Sequence, residues 1–284
     1  METIIEHTSK KELRYFMFDW DDNILVMPTM IHLERLVDNS WEKMDITTSE
    51  FTEVRSQLDE YYNENNEKAE WRFYNNERSD AFCEFRDGGI RGKKAFLQDV
   101  KKSIQYGKFG PVWDEFIKCV IDGNMFLIIT ARGHEPETIK STVKWIVYKV
   151  LTEDQRNEMV KNLKSWTQLF GINDEGWDDD DHITAYLNLC NFIGISSDWF
   201  VDHFKVVGKI AQPEKYKAFA IKYFVQKISK FGKMLNKRTV VGFSDDDLAT
   251  VKSIKKFFKN ELSLDFPMDF HSYHTMNDGT KTEL

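Results

Sequence analysis

The sequence predicts an α/β fold: a Rossmann-like core whose central, mainly parallel sheet is flanked by helices, interrupted by an inserted, mostly helical cap. Three observations point there. Three short apolar runs each stop at polar residues, helical apolar spacing follows two of them, and one long charged, aromatic-rich stretch breaks the rhythm.

The first run, residues 14–18, leads into Asp19. The second, 124–129, leads into Thr130, and the third, 238–243, leads into Ser244 and Asp245. A short apolar run bounded by polar residues is how a strand buried on both sheet faces reads. After Thr130, the residues Ile139, Val143, Ile146, Val147 and Val150 share one helical face, with Pro136 placed for a first turn. After Asp247, Leu248, Val251, Ile254 and Phe258 repeat the pattern. Residues 30–107 hold Glu, Asn, Arg and aromatic residues in helical patterns and form the expected cap; 1–29 and 108–284 form the core, with a further insertion around 151–200. A helix is expected from Pro213, burying Tyr216, Phe219, Ala220, Tyr223 and Phe224. The tail from Met276 to Leu284 is polar and expected to fray.

Composition narrows the function classes. A chain of 284 residues with 41% hydrophobic and 30% charged residues can bury a core. Its net charge of −8 opposes nonspecific binding to nucleic acid or to an anionic membrane surface. Cys83, Cys119 and Cys190 form no CxxC pair, so free thiols in a reducing compartment are expected. The first 14 residues carry charge and lack an apolar signal core, and the most apolar run, 125–131, is too short to span a bilayer. A cytoplasmic protein is the expectation.

Polar clusters end the three strands. In Asp19–Trp20–Asp21–Asp22–Asn23, alternation places Asp19 and Asp21 on one face, where a divalent cation or a shared proton would relieve their repulsion. A polar turn is the plainer reading of the same residues. Thr130, Ala131, Arg132, Gly133 and His134 enter a helix, either as a simple turn or as an anion site using backbone N–H groups. Asp245 and Asp246 offer hard oxygen ligands suited to Mg²⁺, and Asp247 fits a helix cap. On the helix from Pro213, Lys217, with Lys215 as its rival, offers an ammonium to offset negative charge. The run Asp178, Asp179, Asp180, Asp181 lacks the glycine and ligand spacing of a calcium loop, so a solvated loop is expected there, with Asp181 as a helix cap. His271 and His274 lie close to an expected last strand and make no zinc site by themselves.

In order and setting these clusters resemble the haloacid dehalogenase superfamily, whose largest group is phosphatases. Asp19–Trp20–Asp21–Asp22–Asn23 matches its Asp-x-Asp-x-Thr motif, with Asn23 in place of the threonine. Thr130 matches its second motif, Lys217 its lysine, and Asp245 with Asp246 its acidic pair. The resemblance covers the core and not the cap. It implies a Mg²⁺-dependent phosphohydrolase in which Asp19 attacks phosphorus and Asp21 is general acid and base. It further implies that Thr130, Ala131, Arg132 and Lys217 contact the phosphoryl group, and that Asp19, the Asp21 main chain, Asp245 and Asp246 hold the metal. Arg132 and His134 fit a substrate contact or a structural role equally. A small phosphorylated substrate is the expected partner. The narrower reading is a nucleotide or polynucleotide-end phosphatase, suggested by the Thr-Ala-Arg-Gly form and by Arg86, Arg91, Lys93, Lys94, Lys101 and Lys102. A non-catalytic metal- or phosphate-binding regulator is the reading from another class, opposed by retention of both Asp19 and Asp21. A phospho-accepting receiver domain fits neither the order of the motifs nor the length.

Overall fold

Strand β1 (Glu12–Asp19) has parallel neighbours on both sides, and this places the site. The computed structural model describes residues 12–58, 69–206, 213–276 and 278–284. The first 11 residues of the expected core and residues 59–68 of the expected cap lie outside them. Inserted after β1 are β2 (Ile31–Val37), β3 (Ser40–Ile46) and β4 (Trp71–Phe73). The main sheet resumes with β5 (Phe126–Thr130), β6 (Asn191–Gly194), β7 (Arg238–Asp245), β8 (Asp269–Thr275) and β9 (Lys281–Glu283). Its order is β6-β5-β1-β7-β8-β9, and every pairing is parallel except β8 with β9. The register pairs Asp19 with Ile129 and Phe18 with Ser244. The three expected strands are therefore adjacent. Chain order reverses at β1, and such a switch point opens a crevice at the carboxyl ends of the strands.

Alternation along β1 builds two cores. Leu13, Tyr15 and Met17 pack with Ile221, Phe224, Val225, Val251 and Ile254 from the helices Pro213–Leu235 and Leu248–Phe257. Phe18 joins Phe116, Phe126, Ile139 and Val143 on the opposite face. Each such side chain contributes roughly 1.5–3 kcal/mol on burial. Pro136 opens the helix Pro136–Lys149, and the Asp247 side chain accepts from the Ala249 N–H to cap the next. Among the described residues, no helix is long and apolar enough to cross a membrane.

The tail expected to fray pairs through β9 with β8. The inserted segment holds helices and also strands that the sequence did not reveal: β3, β2 and β4 form an antiparallel sheet. Ile31, Leu33, Trp71 and Phe73 of this sheet pack against Ala81 and Phe85 as a separate small core. The charges that read as helical surface instead pair across strands, with Arg72 Nε 2.6 Å from Glu34 and its guanidinium over the Trp41 ring. The segment's long helix, Lys94–Gln105, belongs to the main core through Phe96 and Val100.

The insertion expected at 151–200 comprises the helices Glu153–Leu169 and Asp179–Leu189, after which β6 returns to the sheet. The second of these is capped by Asp178, with Asp181 as its reciprocal partner. The buried face of Pro213–Leu235 is rotated from expectation: Lys217, Ala220, Ile221, Phe224 and Ile228 face inward, while Phe219 is exposed. The sheet is covered by residues four and seven apart, and Lys217 begins that series.

Candidate functional site

Asp19 ends β1, Asp245 ends β7 and Thr130 ends β5, so parallel register delivers all three to one edge of the sheet. Lys217 rises from the covering helix between them. Its Nζ donates to Asp19 Oδ1 at 2.6 Å and to Asp245 Oδ2 at 2.7 Å, with all three side chains buried. Lys215 is exposed and stands apart from this network. Carboxylate oxygens of Asp19, Asp245 and Asp246 lie within 4.8 Å of one another. Such a set of hard, closely spaced oxygens fits Mg²⁺.

The electrostatics follow from the count of charges. Burial pushes Asp19 well above the usual carboxylate range; Lys217 opposes the shift, and Asp245 and Asp246 add to it. Burial likewise raises Asp245 against the pull of Lys217. Asp246 is pushed up to about 8 by burial, then by Asp245 and Asp22. Burial disfavours the Lys217 charge, yet Asp19 and Asp245 hold its ammonium above the ordinary lysine range. Three carboxyls thus share one ammonium, and the cluster retains protons until further positive charge reaches it.

Asp21 has a different setting. The Arg132 guanidinium grips its carboxylate as a fork, with Nε at 2.9 Å from Oδ2 and Nη2 at 2.7 Å from Oδ1. Thr130 Oγ1 donates to Asp21 Oδ2 at 3.1 Å and accepts the Arg132 N–H at 3.2 Å. Thr130 and Arg132 therefore hold Asp21, while Ala131 lies exposed in the turn. Arg132 is itself fixed. It lies over the Phe85 ring at 4.4 Å and donates to Thr29 Oγ1 at 2.9 Å. Thr29 donates to Asp99, which a second fork from Arg91 grips at 2.6 and 2.7 Å. His134 is fully buried against Phe96, with neither ring nitrogen hydrogen-bonded among the described residues. Burial and the charges of Arg132 and Arg91 press its pKa down to about 2, so it stays neutral.

Asn23, at the motif's threonine position, ties three strand ends together. Its amide donates to Asp19 O and Ser244 O at 3.2 and 3.1 Å and accepts from Thr275 Oγ1 at 2.7 Å. Asp22, at a positive φ of 56°, turns its carboxylate toward the inserted segment. There Thr48 and Ser49 donate to it at 2.6 and 3.0 Å. Arg55 reaches Asp247 at 3.0 Å from the same segment. Sequence reasoning missed Asn23 as a clamp, and missed Thr29, Thr48, Ser49, Arg55 and Asp99. Asn23 lies in a strand-end cluster, but its spacing does not show what it ties together; the other five lie outside such clusters, so no spacing in the chain marked them.

Of the discounted groups, His274 touches the site through the Asp246 main chain, and the others pair elsewhere. Asp179 pairs with Lys164 and Asp180 with Lys144. His271 meets Glu283, and His274 Nε2 lies 3.0 Å from the Asp246 carbonyl oxygen. Comparison of the chain with models of protein families, with curated proteins and with solved structures found no match.

Proposed function

We propose that this protein is a Mg²⁺-dependent phosphohydrolase of the haloacid dehalogenase type, acting on a phosphomonoester through an aspartyl-phosphate on Asp19. The observation carrying this reading is that Asp19 shares one buried ammonium with Asp245 and sits in a three-carboxylate cluster, while Asp21, two residues on, is held separately by Arg132 and Thr130. Two aspartates in two environments suit two roles.

Asp19 is the nucleophile. Its carboxylate attacks phosphorus, and the leaving oxygen departs with a proton from Asp21. Asp21 then takes a proton from the water that hydrolyses the acyl phosphate. Arg132 and Thr130 fix the Asp21 carboxyl in place for both transfers. Lys217 opposes the upward shift of Asp19, holds its carboxyl in position and offsets charge on the transferred group. Asp19, Asp245 and Asp246 would hold Mg²⁺, which when bound supplies positive charge to an anionic nucleophile approaching an anionic phosphate. The narrower reading, a nucleotide or polynucleotide-end phosphatase, loses one support because Arg91 is committed to Asp99 and Glu84. A small phosphorylated substrate is the better match.

Hydrolysis of an aryl phosphate with Mg²⁺, with EDTA and with Asp19→Asn tests the proposal. Metal-dependent turnover abolished in a folded Asp19→Asn variant is the expected result. Turnover that survives the substitution overturns the mechanism. Mg²⁺ binding without turnover of any phosphomonoester favours a regulatory protein instead.

A further inference from the structure

A chain of polar side chains runs from Asp21 away from the carboxyl cluster. Arg132 donates from Nη2 both to Asp21 Oδ1 at 2.7 Å and to Thr29 Oγ1 at 2.9 Å. Thr29, between β1 and β2, donates its hydroxyl proton to Asp99 Oδ2 at 2.7 Å. Asp99 belongs to the helix Lys94–Gln105, and Arg91 grips both its oxygens. A guanidinium only donates and a carboxylate only accepts, so the hydroxyl between them has one arrangement. Every link points the same way, from Arg132 to Asp99.

This chain is placed to act on Asp21 and not on a substrate. Thr29 is fully buried and Asp99 is 1% exposed, whereas the Asp21 side chain is 15% exposed. The Phe85 ring against the Arg132 guanidinium resists tilting of its plane but not rotation within that plane. Nη1 has no hydrogen-bond partner among the described residues, so the fork on Asp21 and the Thr29 contact set that rotation. Without Thr29 the guanidinium and the Asp21 carboxyl are free to swing together. Asp99 has its charge met by Arg91 with or without Thr29, so its burial does not by itself require the link.

We propose that Thr29 and Asp99 are positioning residues for the reaction: through Arg132 they aim the Asp21 carboxyl, and this aim fits the site to phosphomonoesters of aliphatic alcohols. The inference rests on the reading of Asp19 as nucleophile and Asp21 as acid. As the bond from Asp19 to phosphorus forms and the ester P–O bond breaks, the Asp21 proton passes to the departing oxygen. An alkoxide leaves slowly without that proton, and a nitrophenolate does not need it. A placement error of about 1 Å can cost roughly 100-fold in such a step. The loss falls on kcat, because neither positioning residue touches substrate.

Steady-state kinetics of the full-length protein with Mg²⁺ test this, using para-nitrobenzyl phosphate and para-nitrophenyl phosphate as a matched pair. Thr29→Val keeps the side-chain shape and removes the hydroxyl. It should lower kcat for the benzyl ester about tenfold or more, change kcat for the phenyl ester less than about threefold, and leave both KM values within about threefold. Thr29→Ser should restore the benzyl ester rate. Asp99→Asn should show the same selective loss, and it decides the matter where Thr29→Val does not fold. The Arg132 Nε–H signal in NMR, assigned by its loss in Arg132→Lys, should be protected from solvent exchange in the unmodified protein and lose protection in Thr29→Val. Where turnover depends on Asp19, equal losses on the two esters, no loss, or an Arg132 signal unchanged by Thr29→Val overturns this proposal alone. Turnover that is absent from the unmodified protein, or that survives Asp19→Asn, overturns the underlying reading, and the proposal falls with it.

Discussion

Replacing Lys217 by methionine isolates what holds the carboxyl cluster together. Methionine keeps the length and apolar stem of the side chain and removes only the ammonium. That ammonium lies 2.6 Å from Asp19 and 2.7 Å from Asp245 in a buried site, so the variant leaves three carboxyls with no counter-charge. Removing one partner of a buried ion pair costs about 3–5 kcal/mol. The deficit should depend on pH with a definite sign. Burial and like charge raise these carboxyls in the folded protein, Asp246 to about 8. A carboxyl so raised binds its proton more tightly folded than unfolded. Its contribution to stability is fully present below an unfolded pKa of about 3.9 and is lost as pH rises through the folded value. Without Lys217 the carboxyls shift further up, so the deficit of Lys217→Met should be widest near pH 7.5 and shrink by more than half near pH 5. Urea unfolding in EDTA, followed by tryptophan fluorescence, measures it at both pH values. Adding Mg²⁺ at pH 7.5 should stabilise the variant more than the unmodified protein. A deficit under about 1 kcal/mol at pH 7.5, or one equal at both pH values, would refute this account of the cluster.

Three further outcomes are expected. Arg132→Lys loses the two-pronged grip on Asp21, so kcat for an alkyl phosphate should fall about 100-fold, and much less for an aryl phosphate whose leaving group needs no proton; equal losses on both substrates would contradict an acid role for Asp21. Asn23→Ala strands buried polar groups on three strand ends and should cost at least about 2 kcal/mol in urea unfolding, with Asn23→Thr recovering part of it. Arg55→Ala breaks a half-exposed pair with Asp247 and should change stability by no more than about 1 kcal/mol, a larger loss meaning that the inserted segment depends on that contact for its docking.

The core of this fold was written in simple signals. A strand buried on both faces leaves an unbroken apolar run, and three such runs, each ending in Asp19, Thr130 or Asp245, marked adjacent strands and hence the site. The strand Asn191–Gly194 was missed because four residues are too few for a period to show. The cap sheet was missed for another reason. In β3, charged side chains lie on both faces of an exposed strand, Asp45 meeting His32 of β2, so no alternation of apolar and polar residues exposes the strand. Resemblance to a family motif could name Lys217 but not orient it. On a helix carrying aromatic residues almost all round, only the sheet decides that Phe219 points out and Lys217 in. The partners of Asp21 and Asp22 depend on contacts between residues 26 to 111 positions apart, which no local pattern records.

The 198-position separation of Asp19 and Lys217 also bears on how the protein is made. At about 5–20 residues per second, a ribosome releases Asp19 roughly 10–40 s before Lys217. Throughout that interval β1, the strand at the middle of the finished sheet, waits for β7, and for more than half of it for β5 as well. The aromatic run Tyr15, Phe16, Phe18 and Trp20 is meanwhile an unprotected, sticky segment on a nascent chain. Any message truncated before Arg238 would yield a product lacking both the second neighbour of β1 and the Asp245 carboxylate, and such a product is a substrate for chaperones and proteases rather than a smaller working protein.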